Sequence, residues 1–341
     1  MFDQVSVIVP VYNAEEYLEK AVHSILQFEE VVEVLLIEDG SPDHSLQIAQ
    51  ELQSRYPVRV KLLQHPGGIN KGAGASRNLG LKEAKGNYIA FLDADDFYLP
   101  TRFDHERIIY KQHPDAEGVY GAIGVHFYSD KARDTFCKQM DIPISESENY
   151  LTTIQEKLQP EEVFDALWGV VRKNTGYFSL DAFTIQTSAI RKHQLQFDET
   201  LRLHQDTEFL CRCAYFCKLY AGSIHDAVSM RGVHEENRMI TIRKVRQTAY
   251  HRFLFYEVVE QWAQKNKLPA IYLNHFKIQK WVHALSKESF WKRVTSYLRI
   301  RVIEKDFFKR RLFKPVHQKL FEHAFLRKVY MKWVMSFLKK D

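Results

Sequence analysis

Cysteine is scarce in this 341-residue chain, with four residues in all. Cys211, Cys213 and Cys217 lie close together in one predicted helix, and Cys137 stands apart. A disulfide framework is not expected, and the paired spacing of a cysteine zinc cluster is missing. Unpaired helical cysteines usually behave as small apolar side chains. We predict that all four are buried in the core.

Long apolar runs are also missing from the sequence. No uninterrupted apolar segment approaches the roughly 18 residues that a membrane-spanning helix requires. The N-terminal segment MFDQVSVIVPVYN has an acid, Asp3, and no basic stretch before its short apolar run, which is unlike a secretory signal. These features predict a cytoplasmic protein, either free or held peripherally at the inner face of the membrane.

Charge is unevenly divided along the chain. The net charge of +5 combines residues 1–240, with 24 Lys and Arg against 36 Asp and Glu, and residues 241–341, with 24 against 7. The hydrophobic fraction of 45% is ordinary for a globular protein, which argues against wholesale disorder. We predict a catalytic domain over residues 1–240 and a basic amphipathic helical region over residues 241–341, which face different partners.

The first hundred residues alternate β-branched apolar runs with amphipathic segments, the rhythm of a parallel sheet with crossover helices. The near-continuous apolar character of the runs predicts a sheet covered on both faces. The predicted strands are 5–11, 33–37, 58–63 and 88–92, and the predicted helices are 15–27, 43–55 and 75–84.

Beyond residue 100 the pattern is less regular. It predicts a helix to about residue 112, one strand over 118–128, a helix over 160–168, an apolar segment over 183–190 and a helix in the second half of FDETLRLHQDTEFLCRCAYF. The polar stretch 129–150 has no clear periodicity. From residue 241 onward, aromatic and aliphatic residues recur at helical spacing among Lys and Arg, which predicts several amphipathic helices.

Polar segments follow three of the predicted strands: PVYN at 10–13, EDGS at 38–41 and DADD at 93–96. In an open parallel sheet, ligands bind beyond the carboxyl ends of the strands, so these segments should meet at one edge. Three aspartates within four residues repel one another unless a cation compensates, and Mg²⁺ or Mn²⁺ prefers such oxygen ligands. Helix capping and turns are the alternative reading of the acidic string taken alone.

This set of motifs resembles the inverting family 2 glycosyltransferases, which have the GT-A fold. The matching stretches are VSVIVPVYNAEEYLEKAVHSIL, EVLLIEDGSPDHS, GAGASRNLGLKEAKGNYIAFLDADD and, more loosely, FDETLRLHQDTEFL. The resemblance implies an α/β fold with a mostly parallel sheet flanked by helices. It also implies a nucleotide-binding half over about residues 1–100 and an acceptor half over about residues 101–240.

The resemblance further implies a donor site and a metal site. Asp39 would hydrogen-bond the base, next to Glu38, which replaces the commoner aspartate, and the Arg77 guanidinium would hold the diphosphate. The residues that would line the nucleotide pocket are Pro10, Val11, Tyr12 and Asn13. Those that would face the donor ribose or sugar are Asp93 and Ala94. Those that would bind a divalent metal, Mn²⁺ or Mg²⁺, are Asp95, Asp96 and His234.

Asp206 is the implied general base, which takes the proton of the acceptor hydroxyl. The chain has His204, Gln205 and Asp206 where the family usually has a glutamate directly before the aspartate, so Gln205 replaces the acidic neighbour. Glu208, two residues further along, is the alternative base. A helix N-terminus also favours carboxylates for purely structural reasons.

The resulting hypothesis is a metal-dependent inverting sugar transfer from a nucleotide diphosphate donor, with UDP favoured, in cell-surface polysaccharide or lipid-linked oligosaccharide synthesis. A sugar nucleotidyltransferase and a non-catalytic membrane-surface binding protein are the alternatives. A dinucleotide fingerprint fails because Arg77 stands where GAGASR would need its third glycine. The basic region favours an anionic membrane surface over nucleic acid as a partner, and simple packing of its helices on the catalytic domain is the alternative. Homodimerisation stays open.

Overall fold

The computed structural model describes residues 2–171, 174–237, 245–286 and 300. The chain divides into two compact units, Met1–Thr241 and Ile242–Asp341. Within the described residues, no helix combines the length and the apolar character that crossing a membrane would need.

Strands and helices alternate through the first unit. The strands are β1 (Val5–Val11), β2 (Val31–Glu38), β3 (Val60–Gln64), β4 (Tyr88–Phe91), β5 (Phe97–Tyr98), β6 (Gly118–Tyr120), β7 (Ala122–Phe127), β8 (Phe183–Gln186), β9 (Leu219–Ala221) and β10 (Ala227–Val233). The helices are α1 (Leu18–Leu26), α2 (Ser45–Arg55), α3 (Ala73–Glu83), α4 (Asp104–Gln112), α5 (Asp130–Met140), α6 (Pro160–Trp168), α7 (Thr187–His193) and α8 (Gln205–Phe216).

A seven-stranded sheet forms the centre of this unit, in the order β3-β2-β1-β4-β8-β6-β9. The strands from β1 to β4 are parallel, whereas β8 runs antiparallel to both β4 and β6. Helices α1, α2 and α3 pack against β1, β2 and β3. The predicted mostly parallel α/β sheet with flanking helices is therefore confirmed.

The packing follows from the sequence of each element. Every residue of β1 is buried except Pro10, which is half-buried, because helices cover both faces of the strand. Helix α1 buries Leu18, Ala21, Val22 and Ile25, an i, i+3, i+4, i+7 stripe. In α3, a Cβ at Gly80 would lie 2.5 Å from Ile8 Cγ2, so the glycine allows the helix to approach the sheet closely.

The predicted strand 118–128 is two strands that belong to different sheets. Strand β6 joins the large sheet, and β7 joins a three-stranded sheet of order β5-β10-β7. Gly121 lies between them, and its N–H donates to the Ala182 carbonyl over 2.8 Å. A Cβ at Gly121 would lie 3.1 Å from the Ser223 carbonyl oxygen. The change of sheet therefore occurs where a side chain would crowd the neighbouring backbone.

Two other segments differ from a simple periodic interpretation. The apolar segment 183–190 is strand β8 followed directly by helix α7. The polar stretch 129–150 contains α5 and a 3₁₀ helix over Ile144–Asn149. Ser129 caps α5 by accepting the Ala132 N–H through its hydroxyl over 3.1 Å, a standard N-terminal helix signal.

The second unit contains two described helices, α9 (Val245–Lys265) and α10 (Ala270–Ser286). They contact each other, and the buried Glu260 carboxylate of α9 pairs with Lys280 and lies 3.8 Å from the Lys277 ammonium, both on α10. Helices were predicted here. The basic aromatic segments predicted as amphipathic helices, 290–302, 307–321 and 326–340, lie outside the described residues apart from Ile300.

Candidate active site

A cavity of about 460 Å³ lies beyond the carboxyl ends of β1 and β4. The residues predicted for the donor, metal and base sites line it, with the exception of Glu38. They are Pro10, Val11, Tyr12, Asn13, Asp39, Arg77, Asp93, Ala94, Asp95, Asp96, Asp206 and His234. The sequence segments that follow separate strands thus meet in one place, as the strand-end rule predicts.

Glu38 and Asp39 are both buried but serve different structural roles. Glu38 accepts the Ser41 N–H over 2.5 Å and the Gln64 amide over 2.8 Å, behind the cavity wall. Asp39 lines the cavity and accepts the N–H groups of Lys71 and Gly72, over 2.6 and 2.8 Å. The loop that contains Lys71 and Gly72 is therefore attached to the end of β2 through the Asp39 carboxylate.

Arg77 lies on α3 with its guanidinium buried against the acidic motif. Its Nη2 donates to Asp93 Oδ1 over 2.5 Å, and the guanidinium lies 5.5 Å from the ring centre of Phe197. Burial alone would lower the pKa of Arg77, but the carboxylates of Asp93, Asp206 and Asp181 raise it above its ordinary value. Nε and Nη1 are buried and lack a hydrogen-bond partner among the described residues.

Three carboxylates form a tight cluster in the wall of the cavity. Oxygen atoms of Asp93, Asp96 and Asp181 lie within 4.8 Å of one another, and Asp96 and Asp181 are buried. Burial raises the pKa of Asp96 well above its ordinary value, with further increases from Asp181, Asp95 and Asp93. Burial and Asp93 raise the pKa of Asp181 as well. These are oxygen ligands of the kind that Mg²⁺ and Mn²⁺ prefer.

Asp95 faces a different set of partners. Its Oδ2 lies 3.2 Å from His234 Nε2 and accepts the Asn237 amide over 3.0 Å. The His234 ring stacks on Tyr17 with 4.5 Å between centroids. The predicted metal residues thus fall into two groups, since Asp95 pairs with His234 while Asp96 joins Asp93 and Asp181.

Asp206 lies in the first turn of α8 and is exposed to the cavity. Its Oδ1 accepts the N–H of Thr207 over 2.8 Å. Glu208, the alternative base, is buried and does not line the cavity, because its carboxylate is held by Arg212 through bonds of 2.6 and 2.7 Å. The geometry therefore favours Asp206 over Glu208.

Sequence reasoning missed Asp181, Arg231 and Asn237. Asp181 precedes β8, and because β8 runs antiparallel to β4, the start of β8 lies next to the carboxyl end of β4. Its carboxylate accepts the Asp93 N–H over 3.0 Å. Arg231, in β10, lines the cavity and lowers the pKa values of Asp96 and Asp181. The local signal at Asp181 is the Ser179 cap two residues earlier, which indicates a turn rather than a site.

Comparison with known proteins gives a family match within the first unit. Residues 6–170 match the family model described as glycosyl transferase family 2. Within this segment, which is just under half of the chain, the sequence is that of family 2. The structure of S. aureus TarS 1-349 in complex with UDP-GlcNAc is similar to this chain, with a TM-score of 0.57, 19% identity, and coverage of 83% of this chain and 72% of that one. The predicted GT-A fold is confirmed.

Two curated proteins are similar to parts of this chain. An uncharacterized glycosyltransferase of Haemophilus influenzae is 47% identical over 103 residues, which are 30% of this chain and 40% of that protein. The minor teichoic acid biosynthesis protein GgaA of Bacillus subtilis is 38% identical over 99 residues, which are 27% of this chain and 22% of that protein. The match thus covers less than half of each relative.

Proposed function

We propose that the protein transfers a sugar from a UDP-sugar to an acceptor hydroxyl with inversion at the anomeric carbon. The observation that carries this proposal is the convergence in one cavity of a buried arginine, a carboxylate cluster and an exposed aspartate at a helix N-terminus. These groups match the three needs of the reaction, namely binding of a diphosphate, compensation of its charge and removal of a proton. The UDP-GlcNAc complex of the TarS structure supports the choice of donor.

The residues proposed to bind the nucleotide donor make chemically different contributions. Tyr12, whose side chain is 44% exposed, and Asn13 offer an aromatic face and an amide to the nucleotide. Asp39 fixes the loop beside them through two backbone N–H bonds. Arg77 provides a guanidinium for the diphosphate, and its two unpartnered nitrogens, Nε and Nη1, are donors suited to phosphate oxygens.

A divalent cation fits the carboxylate cluster. Asp93, Asp96 and Asp181 supply hard oxygen donors. Burial first, and then the neighbouring carboxylates, raise the pKa values of Asp96 and Asp181, and a cation would compensate the negative charge of the cluster. When bound, Mn²⁺ or Mg²⁺ offsets the charge that develops on the leaving nucleotide diphosphate. Asp95 and His234, which contact each other next to the cluster, are proposed to hold the same cation or its water ligands.

Asp206 is proposed to accept the proton of the acceptor hydroxyl. The acceptor oxygen then forms a bond to the anomeric carbon while the bond from that carbon to the phosphate oxygen breaks on the opposite face, and the nucleotide diphosphate leaves. The exposed carboxylate of Asp206 can reach an acceptor, whereas Glu208 is buried and paired with Arg212. A nucleotidyltransferase attacks with an acidic phosphate and has no need of this base.

The acceptor is proposed to be a cell-surface polysaccharide or a lipid-linked saccharide. The name of the relative GgaA, a minor teichoic acid biosynthesis protein, supports this class. The 24 Lys and Arg of residues 241–341 would hold the protein at an anionic membrane surface where such acceptors are made.

Binding and turnover test the proposal separately. Isothermal titration with UDP and GDP, with and without Mn²⁺, should show metal-dependent binding of UDP. Release of UDP from UDP-sugars is then measured with cell-wall polysaccharides, teichoic acid included. Asp206→Asn should lower turnover by about 10²–10⁴-fold and leave UDP binding intact.

Asp130→Asn is the matched control, because Asp130 also lies in the first turn of a helix but does not line the cavity. It should leave turnover unchanged. Full activity of Asp206→Asn would refute the base assignment. If no nucleotide diphosphate binds, the result would favour the alternative of a non-catalytic binding protein.

A further inference from the structure

A second group of side chains of the types that can bind a metal lies away from the cavity. Glu117 directly precedes β6, His193 is the last residue of α7, and Cys217 follows the last residue of α8. Strand β6 is antiparallel to β8, which is antiparallel to β4, so β6 is parallel to the first four strands. Glu117 therefore lies at the amino-terminal edge of the sheet, opposite to the cavity. We propose that these three side chains bind a zinc ion.

The three potential ligand atoms are close enough for one ion. A carboxylate oxygen, an imidazole nitrogen and the sulfur lie within 4.8 Å of one another. Zn²⁺ binds such atoms at about 2.0–2.3 Å in a tetrahedron, which places ligands about 3.3–3.8 Å apart. Each separation between two ligand atoms therefore has to shorten by no more than about 1.5 Å, which side-chain rotation can provide, and water takes the fourth position. The mixture of sulfur, nitrogen and oxygen suits zinc better than Mg²⁺ or Ca²⁺.

His193 provides an observation independent of this proximity. Its Nε2 is buried and has no hydrogen-bond partner in the part of the chain that the structure describes. The nearest carboxylate oxygen, Glu117 Oε1, is 3.7 Å away, beyond hydrogen-bonding distance. The ring stacks on Phe216, with 5.3 Å between centroids, which fixes its orientation. A zinc ion would satisfy this nitrogen.

The other two ligands differ in their protonation before metal binds. Burial raises the pKa of Glu117, but its bonds from the Lys192 ammonium and the Lys218 N–H outweigh this and lower it, so the carboxylate is ionised. Burial and the Glu117 charge raise the pKa of Cys217 to about 12, so its thiol is neutral. Zinc binding therefore forms a sulfur–zinc bond and releases the thiol proton to solvent.

Lys192 competes with a cation for Glu117. Its ammonium donates to Glu117 Oε1 over 2.9 Å, but its side chain is 63% exposed and can turn into solvent. Helix α8 has 12 residues, a length of about 18 Å, with Asp206 in its first turn and Cys217 beyond its last. The proposed ion thus anchors the end of α8 that is remote from the cavity.

The test uses the full-length protein stripped of metal and titrated with Zn²⁺ against a colorimetric chelator, with excess Mg²⁺ to compete at the aspartate cluster. Wild type should bind one Zn²⁺ with high affinity. Cys217→Ser and His193→Gln should each lower the zinc affinity of that site by more than about 100-fold. Even the loss of a residue that only hydrogen-bonds a metal ligand lowers metal affinity by about 10–100-fold. Lys192→Met should tighten binding by up to about fivefold.

Cobalt substitution identifies the ligand. Co²⁺ in place of Zn²⁺ should give a sulfur-to-cobalt charge-transfer band that Cys217→Ser abolishes and Cys137→Ser, a buried cysteine on α5, retains. Equal zinc affinity in wild type and Cys217→Ser, or a band that survives in Cys217→Ser, would overturn the proposal. If Cys217→Ser does not fold, the zinc affinity of His193→Gln is compared with that of wild type, and equal affinities would likewise overturn the proposal. Mn²⁺-dependent UDP binding stays unchanged in His193→Gln, so this result is separable from that of the proposed function.

Discussion

Asp181→Asn should stabilise the metal-free protein and weaken its metal site. In the cluster, each pair of ionised carboxylates within 4.8 Å repels by about 3 kcal/mol at an effective dielectric constant of about 20. Raised pKa values for Asp96 and Asp181 mean that part of this repulsion is relieved by protonation. Removing the Asp181 charge should therefore add about 1–3 kcal/mol to the free energy of unfolding, which corresponds to about 2–10 °C in Tm.

Asparagine preserves the local hydrogen bonds of this site. Its Oδ1 can accept the Asp93 N–H that Asp181 accepts over 3.0 Å, and its Nδ2 can donate to the Ser179 hydroxyl, which now donates to Asp181 over 2.8 Å. The change is therefore almost purely electrostatic. With one oxygen ligand lost, Mn²⁺-dependent UDP binding should weaken by at least about 10–100-fold.

Thermal unfolding in a chelator and isothermal titration with Mn²⁺ and UDP measure the two effects. Asp130→Asn removes one exposed charge that does not belong to the cluster, and it should change the free energy of unfolding by less than about 0.5 kcal/mol. A lower Tm for Asp181→Asn together with unchanged Mn²⁺ affinity would show that the carboxylate is structural, and the reasoning would fail.

Three further results are expected. Arg77→Lys should weaken UDP binding about 10–100-fold, since a single ammonium cannot bond Asp93 and a diphosphate at the same time as a guanidinium does. Equal UDP titration curves for wild type and Arg77→Lys would exclude a role of Arg77 in diphosphate binding. Because burial and neighbouring carboxylates raise the pKa values of Asp96 and Asp181, Mn²⁺ should displace a proton, so affinity should fall as pH is lowered; heats of binding that are identical in buffers of different ionisation enthalpy would contradict it. For Glu33, burial raises the pKa, but the bonds from the Lys61 ammonium, the Ser6 hydroxyl and the Lys85 backbone N–H outweigh burial and lower it. The contribution of Glu33 to stability is therefore present above its unfolded-state pKa and lost as pH falls through its folded-state pKa. The Tm difference between wild type and Glu33→Gln should therefore shrink in acid; a constant difference would argue against an ionic contribution.

The residues that line the cavity beyond β1 and β4 could largely be predicted from the sequence, because the information that places them is local. Buried parallel strands appear as apolar runs, and the polar residues directly after them are carried to one edge. Neighbouring residues of an extended segment point in opposite directions, which is why Asp39 reaches the cavity while Glu38 faces the Gln64 amide behind it. The pattern alone does not reveal which of the two faces the ligand.

Long-range pairing explains what the sequence did not predict. Residues 118–127 form one extended apolar run, and only the partners Ala182 and Ser223 divide it at Gly121. Asp181 enters the acidic cluster because β8 reverses direction, which leaves no mark in the local pattern. Similarly, Glu117, His193 and Cys217 come from three separate elements, so a search for paired cysteine spacing does not detect them.

The position of Asp93 between Arg77 and the acidic cluster would couple the two proposed ligands, the cation and the nucleotide diphosphate. Its carboxylate is bonded to the arginine and also belongs to the carboxylate cluster. A cation that draws Asp93 toward itself frees the guanidinium for phosphate, and a diphosphate that occupies the guanidinium frees Asp93 for the cation. Metal and nucleotide should therefore bind with positive cooperativity, each raising the affinity of the other by the same factor, as thermodynamic linkage requires.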